Sequence, residues 1–170
     1  EADMVLFRAT SSTSSVPQPE AEGPVTGTEY MTHHNLCASA GTYLFRKAIL
    51  HDLRFTKDTL HEDEEFTPLL MLRVENLYVT EGKAYHYRIR KDSITHRTDR
   101  RWKMRRLSDA EQVIYRLKEK ADYLPVKERI AMDRRIAQLT MDHIYNVMTL
   151  TKDETHLNHV LQRLSRRRLF

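Results

Sequence analysis

Glycine is scarce in this chain, with 4 residues in 170, and none stands in a run that could cradle a phosphate. Walker-type loops and dinucleotide-binding turns are thereby excluded, because each needs several glycines to bring backbone N–H groups against phosphate oxygens. Cysteine is scarcer still: Cys37 is alone and cannot form an internal disulfide. That suits a reducing compartment and makes a buried thiol its expected role. No apolar run approaches the roughly 20 residues that cross a bilayer. No basic-then-apolar signal opens the chain either, so a cytoplasmic location is expected. The first residue is Glu1, and an apolar segment follows almost at once, which leads to the expectation that an upstream part is missing.

The side chains that are present describe a folded protein. Hydrophobic residues make up 40% and charged residues 31%, enough to exclude disorder throughout and to fit helices with solvated faces. The net charge of +4 is unevenly spread. Residues 1–98 hold 11 basic and 14 acidic side chains and residues 99–170 hold 17 and 10, so the halves carry −3 and +7. A length of 170 residues suits one ordinary domain or a large piece of a bigger one.

The densest chemistry lies in Leu60–Leu70, where His61, Glu62, Asp63, Glu64 and Glu65 precede an apolar run. If the helix begins here, its first turn presents N–H groups and a positive dipole end that favour acids. This alone explains why carboxylates are tolerated; it does not require a histidine and four acids in succession.

Upstream, Met4–Phe7 reads as a buried strand, and residues 9–28, rich in Ser, Thr, Pro and Gly, as a flexible surface loop. Glu29–Leu36 reads as a short helix. The small residues Ser39, Ala40 and Gly41 permit close approach, and Tyr43–Leu50 carries Leu44 and Ala48 at helical spacing. Downstream, Asn76–Thr80 and Ala84–Arg90 read as strands separated by a turn at Glu81-Gly82-Lys83, with Lys91–Thr95 as a loop. From Asp99 onward the periodicity is helical. Ser108 with Glu111 forms a capping-box pattern, predicting a helix from about Asp109 to Leu124; Pro125 separates it from a run through Met148; Thr151 with Glu154 opens a third. Met132, Met141 and Met148 read as core filling. His33-His34 and the pair His156 and His159 read as surface histidines.

Three blocks carry a resemblance. Thr42–Leu50 is similar to a helix ending in a K-L-Y-R-R-like element, His61–Pro68 to an E-D motif, and Tyr85–Ile94 to a Y-x-Y-R-x-[RH]-x-x-S-I segment. In this order they resemble the acceptor-side half of a bacterial family 2 glycosyltransferase. The resemblance implies an α/β fold: an incomplete GT-A-type, partial Rossmann-like half domain over residues 1–98, followed by a helical subdomain over 99–170. It also implies a donor-binding half, whose D-x-D motif holds a divalent metal (Mn or Mg). No D-x-D occurs in this sequence, so the chain alone is expected not to turn over a nucleotide-sugar.

By the same resemblance, Asp63 would be the catalytic base and Glu62 would position it. His61 would contact the acceptor, and Arg88, Arg90 and Ser93 would bind the nucleotide diphosphate. The implied partners are a nucleotide-sugar donor and a saccharide acceptor in cell-surface polysaccharide synthesis, with no nucleic acid. Trp102 among Arg100, Arg101 and Lys103 suits either peripheral contact with the inner face of the plasma membrane or packing against the α/β half. Two alternatives stay open: a non-catalytic remnant, and a basic helical module that binds nucleic acid, a membrane surface or a partner subunit.

Overall fold

The computed structural model describes residues 1–11, 20–88 and 99–169, which form a mixed α/β protein. In chain order the elements are β1 (Met4–Thr10), β2 (Glu22–Val25), α1 (Gly27–His33), β3 (Tyr43–Phe45), a 3-10 turn (Lys47–Ile49), α2 (Glu62–Met71), β4 (Leu77–His86), α3 (Arg100–Ala121), α4 (Val126–Thr151) and α5 (Glu154–Arg166). The sheet order is β2-β4-β1-β3. β1 and β4 are parallel, with Met4 opposite Leu77 and Leu6 opposite Val79, while β2 and β3 add antiparallel edges. Asp3 fastens the start of the parallel pair: its Oδ2 accepts the backbone N–H of Asn76 at 2.9 Å and of Glu75 at 3.2 Å. The Asn76 N–H is the chief reason the Asp3 carboxyl lies below its ordinary value.

Several expected elements differ from what forms. Residues 42–50 form no α-helix but a strand, Tyr43–Phe45, followed by the 3-10 turn. Tyr43 is buried and Leu44 is 69% exposed, the alternation of a strand that covers the open edge of β1. Glu81-Gly82-Lys83 is not a turn but the middle of β4, because β1 continues alongside with Arg8 opposite Lys83. β4 ends at His86, short of the expected Arg90, and residues 89–98 lie outside the described residues. The expected loop over residues 9–28 includes the end of β1, all of β2 and the start of α1; residues 12–19 lie outside the described residues. Thr26 caps α1, its hydroxyl accepting the N–H of Glu29 at 3.1 Å.

α3 starts at Arg100, not near Asp109. Asp99 accepts the Trp102 N–H at 2.9 Å, so Ser108 is interior. Asp153, not Thr151, caps α5 by accepting the His156 N–H at 3.0 Å. Thr151 ends α4 and bonds back to the Val147 carbonyl. Cys37 is exposed, contrary to the buried thiol expected.

Two apolar clusters hold the fold. Met4, Leu6, Met31, Phe66, Leu70 and Leu77 pack under the sheet, while Ile114, Leu117, Met132, Ile136, Val147 and Leu164 join α3, α4 and α5. α2 lies between them, with Phe66 and Leu70 in the first cluster, Leu69 packed against the second, and Leu72 at its C-terminal end touching both. Met132 is core, but Met141 and Met148 are exposed, because they occupy the opposite face of α4.

Two backbone positions give sharp expectations. A Cβ on Gly27 would sit 2.0 Å from the Met71 carbonyl oxygen, and the Gly27 N–H already donates to Val74 O at 2.8 Å. Gly27→Ala must push α1 off the end of α2 and should cost about 3 kcal/mol in urea unfolding, the upper part of the range for overpacking. A loss below about 0.5 kcal/mol, within the range of a neutral surface change, would show that the approach is not tight. Lys152 is exposed and closes α4 at φ +51°. Lys152→Gly should raise stability by about 0.5–1 kcal/mol, since glycine adopts this left-handed conformation without a Cβ penalty.

Candidate functional site

The acid-rich stretch forms the first turn of α2, and the helix α3 holds its approach in place. The Leu60 N–H donates to Asp109 Oδ2 at 3.0 Å, and Arg105 Nη2 donates to the Asp58 carbonyl at 3.0 Å. His61 then takes a left-handed conformation, φ +65° and ψ +31°, as the residue before the helix. Such a conformation costs a non-glycine residue on the order of 1–2 kcal/mol. Its carbonyl accepts the Glu64 N–H, and its half-buried ring makes no capping bond. Burial pushes the His61 pKa down, with the Arg106 charge adding to it, so the ring is neutral at physiological pH.

The four acids have different fates. Glu62 is exposed. Glu65 is buried, accepts both Arg116 Nε and Nη2 at 2.9 and 2.7 Å, and takes a further bond from the Thr56 hydroxyl at 3.0 Å. Glu64 pairs with Nη2 of Arg135, a guanidinium buried on α4 that also donates to the Leu36 carbonyl at 2.7 Å and to Gln138 Oε1 at 2.8 Å. Burial nonetheless raises the Glu64 carboxyl above its ordinary value, Arg135 opposing and Asp63 and Asp142 adding.

Asp63 is half-buried, and among the described residues no cation pairs with it within 4 Å. Its Oδ1 accepts the Glu64 N–H at 2.9 Å, which orients the carboxylate at the head of the helix. Burial raises its pKa, and the neighbouring Glu62 charge raises it further. Asp63 is thus a carboxylate with depressed acidity, held in place by backbone and free of a salt bridge.

Behind this turn, Thr67 connects α2 to the strand side. Its hydroxyl donates to the Ala38 carbonyl at 3.0 Å and therefore accepts from the Tyr43 hydroxyl, also at 3.0 Å. All three groups are buried. Thr67→Val leaves the Tyr43 hydroxyl and the Ala38 carbonyl without this partner and should cost about 1–3 kcal/mol, measured by thermal or urea unfolding. Of the small residues 39–42, Gly41 admits a neighbouring side chain: a Cβ there would meet the Tyr85 ring at 2.8 Å.

His61, Glu62 and Asp63 are consecutive at the helix entrance, and Arg88 is exposed just past β4. Arg90 and Ser93 lie outside the described residues. Arg135 and His143 escaped the sequence reading. Both fall on the buried stripe of α4 with Met132, Ile136 and Val147, and a charged or imidazole side chain at such a position is the signal that finds them. Among the described residues no group of three or more His, Cys, Asp or Glu side chains could hold a metal ion. Compared with protein-family models, with curated proteins and with solved structures, the chain matches none.

Proposed function

We propose that this chain is the acceptor-side part of an inverting glycosyltransferase of family 2, with Asp63 as the base. The observation that carries the reading is the contrast within one helical turn: Glu64 and Glu65 are tied to Arg135 and Arg116, whereas half-buried Asp63 has no paired cation among the described residues. A general base needs these properties, since its carboxylate must accept a proton and not be neutralised by a fixed charge.

In this reaction the acceptor hydroxyl oxygen bonds to the anomeric carbon while the bond from that carbon to the diphosphate oxygen breaks, inverting the configuration. The hydroxyl proton passes to Asp63, and the electron pair leaves with the nucleotide diphosphate. Glu62 supports Asp63 electrostatically by raising its pKa. Arg88 offers a planar fork of donors to the leaving phosphate, a role that the resemblance also gives to Arg90 and Ser93. The divalent metal implied by the resemblance finds no ligand set among the described residues, and none of these steps passes through it. The test is sugar transfer by an enzyme in which this chain is joined to a donor half bearing D-x-D, with Asp63 intact or replaced by Asn.

A further inference from the structure

Beside the acids of α2, a cleft of about 300 Å³ opens between α2, α3 and α4, at the lower end of the size range for small-molecule sites. Its apolar wall is Val113, Ile114 and Leu139, and its polar wall includes His61 and Glu64. Asp142, Tyr145 and Asn146, exposed on α4, form its rim. His143 lines the same cleft while only 2% exposed, and among the described residues neither ring nitrogen has a hydrogen-bond partner. The Glu111 carboxylate stands 3.5 Å from Nε2, too far for a good bond. A buried imidazole without a partner is costly, and a ligand hydroxyl can both donate to it and accept from it.

We propose that this cleft binds a neutral pyranose residue of the acceptor saccharide, an inference that rests on the glycosyltransferase reading above. A pyranose has a C–H face and a ring of hydroxyls, and the cleft offers a partner for each. Tyr145, 62% exposed, presents a ring for the C–H face, and the aliphatic wall continues that surface. Asp142 supplies acceptors, Asn146 a donor and an acceptor, and His143 the ring nitrogen that does not face Glu111, Nδ1. Glu64 and Asp142 make the site hostile to anions, which argues against a phosphate ligand. Two cleft-lining residues, His61 and Glu64, flank Glu62 and Asp63 in the sequence, so a ring held here lies beside the acids of the site.

The experiment is a titration of the isotope-labelled chain with methyl β-glucopyranoside, methyl β-galactopyranoside and methyl N-acetyl-β-glucosaminide, following the ring resonances of His143 and Tyr145 by NMR. The expected result is a saturable shift of both rings with at least one glycoside, weakened about tenfold in Tyr145→Ala and in Asp142→Asn. Both variants alter exposed side chains, so the fold survives in each. If no glycoside moves these resonances, or if binding is unchanged in both variants, the cleft is not a sugar site. Shifts confined to residues that do not line the cleft, such as Tyr43, would overturn the cleft but leave the glycosyltransferase reading standing. Cleft binding combined with full transfer by Asp63→Asn would uphold the cleft as a sugar site and overturn the base assignment instead.

Discussion

Glu111→Ala should lower stability by about 3 kcal/mol, which in a chain of this size lowers Tm by on the order of 10 °C. Glu111 is only 6% exposed and joins three helices. Its Oε1 and Oε2 accept from Arg163 Nε and Nη2 at 2.7 and 2.8 Å, Oε1 also accepts the Tyr115 hydroxyl, and His143 Nε2 lies 3.5 Å from Oε2. Arg167 stacks on the Tyr115 ring at 3.9 Å, extending the cluster to the end of α5. Alanine leaves Tyr115 and His143 facing a cavity, while Arg163, 45% exposed, can turn to solvent. That escape is why the lower end of the range for a broken buried pair is expected; Arg163→Met leaves the buried Glu111 carboxylate without its cation and should cost at least as much, about 3 kcal/mol or more.

The same carboxylate sets an acid limb. Burial alone would raise its pKa, but the bonds from Arg163 and Tyr115, with the His143 imidazole close by, outweigh burial and hold it far below the ordinary carboxylate value of 4.5. Tyr115 is pushed the other way, to about 12, by burial and by the Glu111 carboxylate. A depressed carboxyl contributes stability that is complete above the unfolded pKa and lost as pH falls below it. Unfolding measured from pH 7 downward should therefore show wild-type stability falling below about pH 4.5, with a shallower fall in Glu111→Ala. Parallel curves would show that other groups set the limb.

How much of this was legible beforehand depends on how each element is stabilised. β1, α2 and the helical tail advertise themselves through apolar runs and spacing, and all of them form, though β1 runs on to Thr10 and the starts of α3 and α5 differ from those expected. β3 did not, because three residues inside a helix-like segment become a strand only when an open edge of β1 needs covering, which is a tertiary demand. β2 was hidden for the same reason, its Glu22-Gly23-Pro24-Val25 having no strand character apart from its partner β4. The first turns of α3 were missed because Arg100–Arg106 carries too few apolar residues to show a stripe; the Asp99 cap starts that helix. At the site, the acids were visible as a cluster. What distinguishes Asp63 from Glu64 and Glu65 was not, since Arg135 and Arg116 arrive from α4 and α3, more than 50 residues away.

That distinction produces the second large expectation. In an enzyme completed with a donor half, Asp63→Asn should reduce transfer by about 10²–10⁴-fold, the usual range for removing a general base, because the amide keeps the shape but cannot accept the proton. Donor affinity should stay within about twofold, since in the proposed reaction Asp63 acts on the acceptor hydroxyl and not on the diphosphate. Glu62→Gln should have a smaller effect: it removes the neighbouring charge that helps raise the Asp63 pKa, but not the base. With Asp63 intact, transfer should decline on the acid side as the carboxyl protonates, at a pH above its ordinary value of 3.8, and that limb should vanish in the Asn variant.

The measurement that bears most directly on the central claim is the single-turnover transfer rate at saturating donor and acceptor, wild type against Asp63→Asn, with donor Kd measured on the same two proteins. The account predicts a rate lower by at least about a hundredfold at unchanged donor Kd. A rate within about threefold of wild type would contradict it, and the base would have to be sought elsewhere than at the entrance of α2.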